Sequence, residues 1–348
     1  MNQLDRAPLM LSIEEEKWPY KVPFRLTGYT WTELSAVVVT LEQHGCVGRG
    51  EAAGVYYLGD DAASIVKRIE SVRGEIEAGI DRESLLQLLP PGGARNAVDC
   101  ALWDLESKLS GLFAWQIAGL ESLQPLLTTF TCGADQPERM AAAGRAYTNA
   151  RAIKLKLTGE SVDADRVRAV REARDDVWLC VDANQGFTRT SLEKLIPVLL
   201  EARVGIIEQP FPIGQEAWLD GFQSPIPIAA DESVQGCQNI ASLVGRFNVI
   251  NIKLDKCGGL TEGLAMARVS RALGLDTMVG CMAGTSLSMA PAFILGQACN
   301  VVDLDGPIFL TADRDNPVQY NDGFITCPNA LWGAPAEMPL CNSDGRIR

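Results

Sequence analysis

From about residue 125 onward the chain alternates short apolar runs with amphipathic stretches. The runs cover 126–131, 153–157, 177–181, 205–207, 226–230, 249–252, 276–279 and 301–304, eight strand candidates in all. Between them, segments such as 163–174, 191–202 and 261–273 carry apolar residues at three- and four-residue spacing, the period of a helix with one buried face. Strands alternating with helices predict a parallel sheet. The residues at the C-terminal ends of the runs, Thr131, Lys156, Asp182, Glu208, Asp231, Lys253, Gly280 and Asp303, recur every 22 to 27 positions. Eight strand–helix steps of that size predict an α/β fold with a (β/α)8 TIM barrel, in which the strand ends share one mouth and the chemistry sits there. Six of these eight ends are charged. A buried ring of charges is costly unless its members are paired or hold a metal.

The preceding part of the chain reads differently. Strand-like segments at 35–42 and 48–52 are followed by helical pieces at 62–77 and 94–109. This predicts a separate α+β domain over 1–120, a barrel over 121–310, and a final segment, 311–348, rich in Pro, Gly and Asn, that returns to pack on the first domain. Near the N-terminus, Glu14, Glu15 and Glu16 stand where a signal peptide would be apolar, and no run is long enough to span a membrane.

Composition narrows the chemistry. Among 348 residues the net charge is −13, with no Lys/Arg cluster, so neither nucleic acid nor an anionic membrane is an expected partner. The ten cysteines include no CxxC pair and lie in apolar surroundings, which points to reduced, mostly buried thiols in a cytoplasmic protein. The one histidine, His44, sits in a turn at Gln43-His44-Gly45. A Ser-His-Asp triad, a His dyad and a multi-His zinc site are thereby nearly excluded, and proton chemistry falls to Lys, Asp, Glu, Tyr or Cys.

Asp182, Glu208 and Asp231 end successive strands. Three converging carboxylates repel one another unless a cation sits among them, and a hard oxygen-seeking ion, magnesium above all, suits that donor set. Separate salt bridges and helix caps would explain each singly, but not three in register. Lys154 and Lys156 are two apart on one strand and share a face. Lys253 lies on the sixth barrel strand, opposite the second, so Lys156 and Lys253 are expected to approach a central ligand from two sides. An internal lysine beside a metal is expected to have a lowered pKa, suiting a general base. Asp303 and Asp305 also share a face and, with the metal trio complete, are free to hold a cation such as a substrate ammonium.

These motifs together resemble the enolase superfamily, in its muconate-cycloisomerase-like subgroup. Lys154-x-Lys156, Asp182-x-Asn184, Glu208-Gln209-Pro210, Asp231-Glu232-Ser233 and the stretch from Asn251 to Gly259 match in order and spacing, and 97–105 resembles the helix that joins cap to barrel. Within the subgroup, Asp303-x-Asp305 resembles the dipeptide epimerases of the L-Ala-D/L-Glu type. The resemblance implies an enolase-like modified barrel under a capping domain, and a lysine base working with one magnesium ion per subunit. It implies epimerisation at the α-carbon of the C-terminal residue of an L,L-dipeptide (L-Ala-L-Xaa to L-Ala-D-Xaa) through an enolate. Asp182, Glu208 and Asp231 would hold the metal, with Asn184 and Glu232 behind them. Lys156 and Lys253 would be the two bases, Lys154 would neutralise the enolate oxygens, and Asp303 and Asp305 would take the ammonium. Thr131, Cys281 and Ala283 match substrate-lining positions. The partner is a small-molecule dipeptide; a homo-oligomer is left open. If the substrate were Ala-Glu, cell-wall peptide metabolism would follow.

Specificity is expected from loops near 25–33 and 53–61, with Arg25, Trp31, Tyr56 and Tyr57 as candidates. Relatives acting on Ala-Glu often carry an Arg where this chain has Trp31. An apolar or cationic second residue is therefore expected to suit at least as well as glutamate. Other enzymes on the same fold, a cycloisomerase, an o-succinylbenzoate synthase or an N-acylamino acid racemase, are the alternatives, since they need no ammonium partner. A non-catalytic binding protein is the remote one.

Overall fold

The computed structural model describes residues 8–26 and 29–336, without the side chains of 24–26 and 29. Three antiparallel strands open the chain: β1 (Met10–Leu26), β2 (Tyr29–Gln43) and β3 (Cys46–Ala52), in that order across the sheet. His44 and Gly45 join β2 to β3 with φ of 52° and 76°. Two successive positive φ values are what a two-residue hairpin turn demands, and the exposed His44 is a turn residue as expected. The helix Gly93–Ser110 packs on β3 very closely. At Gly50 a Cβ would come within 2.1 Å of the Ala97 carbonyl, and at Gly48 within 2.3 Å of that of Ala101. Only glycine permits that approach.

Two expectations for this region change. β1 was not among the expected strands. The helix expected over 62–77 is two, Ala62–Glu70 and Arg73–Glu77. Ser71 divides them: its hydroxyl donates to the Arg68 carbonyl, a side-chain bond that competes with helix continuation.

The expected run at 126–131 divides as well. Leu126–Leu127 (β4) pairs antiparallel with β14 (Phe324–Thr326), which pairs with β13 (Gln319–Asn321). Thr128 then donates its amide to Gly323 and Thr129 donates its amide to Val302, so the chain passes from one sheet to the other. The barrel strands follow as β5 (Phe130–Cys132), β6 (Ala152–Lys156), β7 (Trp178–Asp182), β8 (Val204–Glu208), β9 (Ile228–Ala230), β10 (Val249–Lys253), β11 (Asp276–Gly280) and β12 (Val301–Asp303). All are parallel and neighbours follow chain order. The first and last are tied by Thr129 N to Val302 O at 3.0 Å and by Thr131 N to Asp305 Oδ2 at 2.7 Å, nearly closing the barrel. The expected helices lie at Asp163–Ala173, Arg189–Glu201 and Leu260–Ala272. After β8 the chain makes only a 3-10 turn, Glu216–Leu219.

The cap is fastened over the strand ends by buried polar groups. Asp255 accepts the amides of Ala53 and Gly54, both at 3.0 Å. Asp99 takes the Thr261 amide and hydroxyl, and Arg95 donates to the carbonyls of Cys257 and Gly258. Glu51 takes the Thr285 amide at 2.7 Å and is held by Arg314. Of the expected final segment, 337–348 lies outside the described residues; before it, Trp332 donates its indole N–H to Arg49 O, and Gly333 its amide to Asp104, both on the cap. The nine described cysteines are free; four are buried and five partly exposed, so the thiols are less uniformly interior than expected. Among the described residues, no helix is long and apolar enough to cross a membrane.

Candidate active site

Parallel pairing sets the register of the charged strand ends. Lys156 pairs with Asp182, and Asp182 with Glu208. Asp231 follows the last residue of β9. Ligand oxygens of Asp182, Glu208 and Asp231 all lie within 4.8 Å of one another, and all three side chains are buried. Burial and the neighbouring Asp182 push Glu208 up to about 8. Burial would also raise Asp182, but Lys156 and Lys154 bring it down to about 2. Asp231 is likewise held low, against its burial, by Lys253 and Lys256.

The lysines converge on this cluster from several strands. Lys154 is wholly buried, with its Nζ 2.8 Å from Glu208, 2.8 Å from Asp303 and 3.2 Å from Asp182. Lys156 Nζ stands 2.6 Å from Asp182 Oδ2, and Lys253 Nζ 2.6 Å from Asp231 Oδ2. β6 and β10 are four steps apart in an eight-stranded barrel, so the last two lysines reach in from opposite sides. Both line one cavity of about 290 Å³, together with Asp231, Asn184, Glu232, Cys281, Ala283, Trp31, Tyr56 and Tyr57. Where no metal sits among the carboxylates, Lys253 and Lys154 are governed by two opposed effects. Burial does pull both down, but the adjoining carboxylates outweigh it and hold both well above the ordinary value.

Whether these residues suit a metal is answered by Glu208. Its Oε2 is buried and, although 2.8 Å from Lys154, accepts no hydrogen bond in good geometry. A buried carboxylate oxygen left unsatisfied inside an all-oxygen donor set fits a hard cation. The backbone is strained beside it: Asn184, Gln185 and Gln209 take φ of 41°, 70° and 34° just beyond β7 and β8.

Comparison with known proteins places the chain. Residues 134–333 match the enolase C-terminal domain-like family, and residues 9–119 match the mandelate racemase/muconate lactonizing enzyme N-terminal domain. The chain belongs to the enolase superfamily. It is 37% identical over 315 residues to the L-Ala-D/L-Glu epimerase of Escherichia coli, covering 90% of this chain and 98% of that one. A solved enolase-family structure from Agrobacterium tumefaciens, with homology to dipeptide epimerases and holding sodium and L-Ala-L-Glu, is 38% identical. It superposes with a TM-score of 0.90 over 94% of this chain and 100% of that chain. The Methylococcus capsulatus dipeptide epimerase, solved with Mg and L-Arg-D-Lys, is 29% identical with a TM-score of 0.86, over 92% and 97% of the two chains.

In this superfamily member the other expected residues sort by position. Asn184 donates to Glu232 at 3.3 Å, and both line the cavity beside Asp231. Asp303 holds Lys154 through its Oδ2 at 2.8 Å, and its Oδ1 accepts the Thr129 hydroxyl. Lys154 is a buried charge that draws every carboxylate near it. Asp305 takes the Thr131 amide on one oxygen, and burial beside Asp303 pushes it up to about 7. Thr131, Asp303 and Asp305 gather on the β5–β12 side of the mouth. The Arg25 side chain lies outside the described residues.

Three residues of consequence had no assigned role in the sequence. Asn251 donates to Glu208 Oε1 at 2.8 Å. Lys256 donates to Asp231 Oδ1 at 2.5 Å. Gln209 accepts the amides of Asp231 and Ser233 and donates to Phe211 O and the Ser233 hydroxyl. All three stand inside the motifs quoted for the resemblance, and only contacts between strands reveal what they hold.

Proposed function

We propose that this chain is an isomerase of the dipeptide epimerase type, moving a proton at the α-carbon of the C-terminal residue of an L-Ala-L-Xaa dipeptide. The observation that carries the reading is the placement of Lys156 and Lys253, on strands four apart, beside one carboxylate trio and lining one cavity. One lysine removes the α-proton and the other delivers a proton to the opposite face. Between the two steps the substrate is an enolate, and the buried charge of Lys154 supports its oxygens.

The trio Asp182, Glu208 and Asp231 is assigned to magnesium, the ion bound in the solved Methylococcus relative. When bound, such an ion supplies positive charge to the substrate carboxylate and makes the α-hydrogen more acidic. Asp305, with Asp303 behind it, is assigned to the substrate ammonium, and Thr131, Cys281 and Ala283 to the substrate's surroundings. Asn184 and Glu232 keep the trio's orientation. The free thiols fit a reducing, cytoplasmic setting.

The test is incubation of the magnesium-loaded protein with pooled L,L-dipeptides in deuterated water, read by mass spectrometry. One deuterium at the C-terminal residue, together with L,D product, is the expected result; no exchange into any dipeptide overturns the reading. One observation favours a second reading. Asp303 already spends its charge on Lys154, and an N-acylamino acid substrate needs no ammonium partner. Exchange into N-acetylamino acids with none into free dipeptides selects that racemase.

A further inference from the structure

We propose that the subsite for the side chain of the substrate's C-terminal residue takes an apolar or aromatic group and rejects an acidic one, an inference that rests on the dipeptide reading above. The cavity over the two lysines is roofed by the cap. Trp31 and Tyr56 stand edge to face with centroids 5.2 Å apart and planes at 67°. Tyr56 and Tyr57 repeat the arrangement at 5.2 Å and 90°. Three rings thus form one continuous wall, stiffened by ring–ring contact. Leu34 and Ala53 extend it from the cap, and Met282 from the loop after β11.

The charges along the cavity decide against an acidic side chain. The cations among the described lining residues are Lys156 and Lys253, each 2.6 Å from a carboxylate of the trio. Among the described residues, the charged groups that the cap brings to the cavity are Glu33, Asp60 and Asp61. Each of those already has a partner: Asp60 holds the Gly93 amide and Arg68, Asp61 caps its helix through the Ser64 amide, and Glu33 pairs with Lys17. These cap acids therefore add negative potential while committed to partners of their own; on the barrel side Glu232 keeps Oε2 without a hydrogen-bond partner. The Tyr57 hydroxyl, buried without a partner, is a neutral group. A carboxylate entering here would lose its water, face like charge and meet no spare cation among the described lining residues, whereas an apolar side chain gains by leaving water and touching the rings.

The experiment compares kcat/KM of the full-length, magnesium-loaded protein on L-Ala-L-Phe, L-Ala-L-Leu, L-Ala-L-Lys and L-Ala-L-Glu. The expected result is a preference of at least about tenfold for Phe and Leu over Glu and Lys, the scale on which apolar pockets discriminate. Trp31→Arg is expected to move the ratio of Glu to Leu upward. Preference for L-Ala-L-Glu, lost in Arg25→Gln, overturns the inference while leaving the epimerase reading intact. Preference for L-Ala-L-Lys overturns it equally. Turnover of none of the four overturns the epimerase reading and this inference with it.

Discussion

Asn251 lies wholly buried on β10, with its Nδ2 2.8 Å from Glu208 Oε1 and its own Oδ1 without a partner. That single bond leaves the other Glu208 oxygen directed into the carboxylate cluster. Groups that orient a metal ligand in this way are typically worth about 10- to 100-fold in affinity. Asn251→Ala is therefore expected to weaken Mn2+ binding by about that factor in calorimetric titration, with the circular dichroism spectrum unchanged. Equal affinity in variant and parent would contradict the role. The contact joins residues 43 apart in sequence, which is why an amide inside a strand pattern gave no sign of it. The carboxylates and lysines were legible at this scale because their charge is anomalous at strand ends. Their neutral supports were not, because an interior amide is unremarkable until its partner is known.

Among the elements, the joint between cap and barrel carries the most chemistry. Asp255 is the second residue of the short helix Leu254–Cys257, which directly follows Lys253, and binds the two amides that begin the loop bearing Tyr56 and Tyr57. Burial pushes it up to about 7, although those amides favour the charged form. The folded pKa thus lies above the unfolded carboxylate value of about 3.9, so its stabilising contribution is full below about pH 4 and is lost as pH rises through 7. Relative to Asp255→Asn, the parent protein is expected to lose on the order of 3 kcal/mol of stability between about pH 4 and pH 8, measured by denaturant unfolding at a series of pH values. Parallel stability curves would contradict this. The element pattern itself was readable where burial is two-sided or periodic: the eight barrel strands fall on the apolar runs, and helices lie at the three segments named between them. β1 escaped because it is an edge strand, with Glu14, Glu15 and Lys17 on its exposed positions. Charges blunt a sheet edge and erase the alternation that marks a strand. The split at 128–129 escaped too, since an apolar run does not say which of two sheets it joins.

Across the whole molecule, cap and barrel divide the work. The barrel brings charge to one mouth through strand register, and the cap closes that mouth with rings and buried carboxylates. The superfamily chemistry was legible because it depends on residue types at repeating intervals. The state of Asp303 was not, because it depends on how far Lys154 reaches across the barrel: it meets Asp182, Glu208 and Asp303 at once. The central claim remains that Lys156 and Lys253 serve opposite faces of one α-carbon. It is tested most directly by following α-hydrogen exchange in deuterated water by NMR, with the L,L and L,D forms of one turned-over dipeptide supplied separately to Lys156→Ala and Lys253→Ala. Each variant is expected to exchange the α-hydrogen of one epimer only, the two variants choosing opposite epimers, and neither is expected to interconvert them. Interconversion by either variant, or exchange of the same epimer by both, would contradict the two-sided assignment.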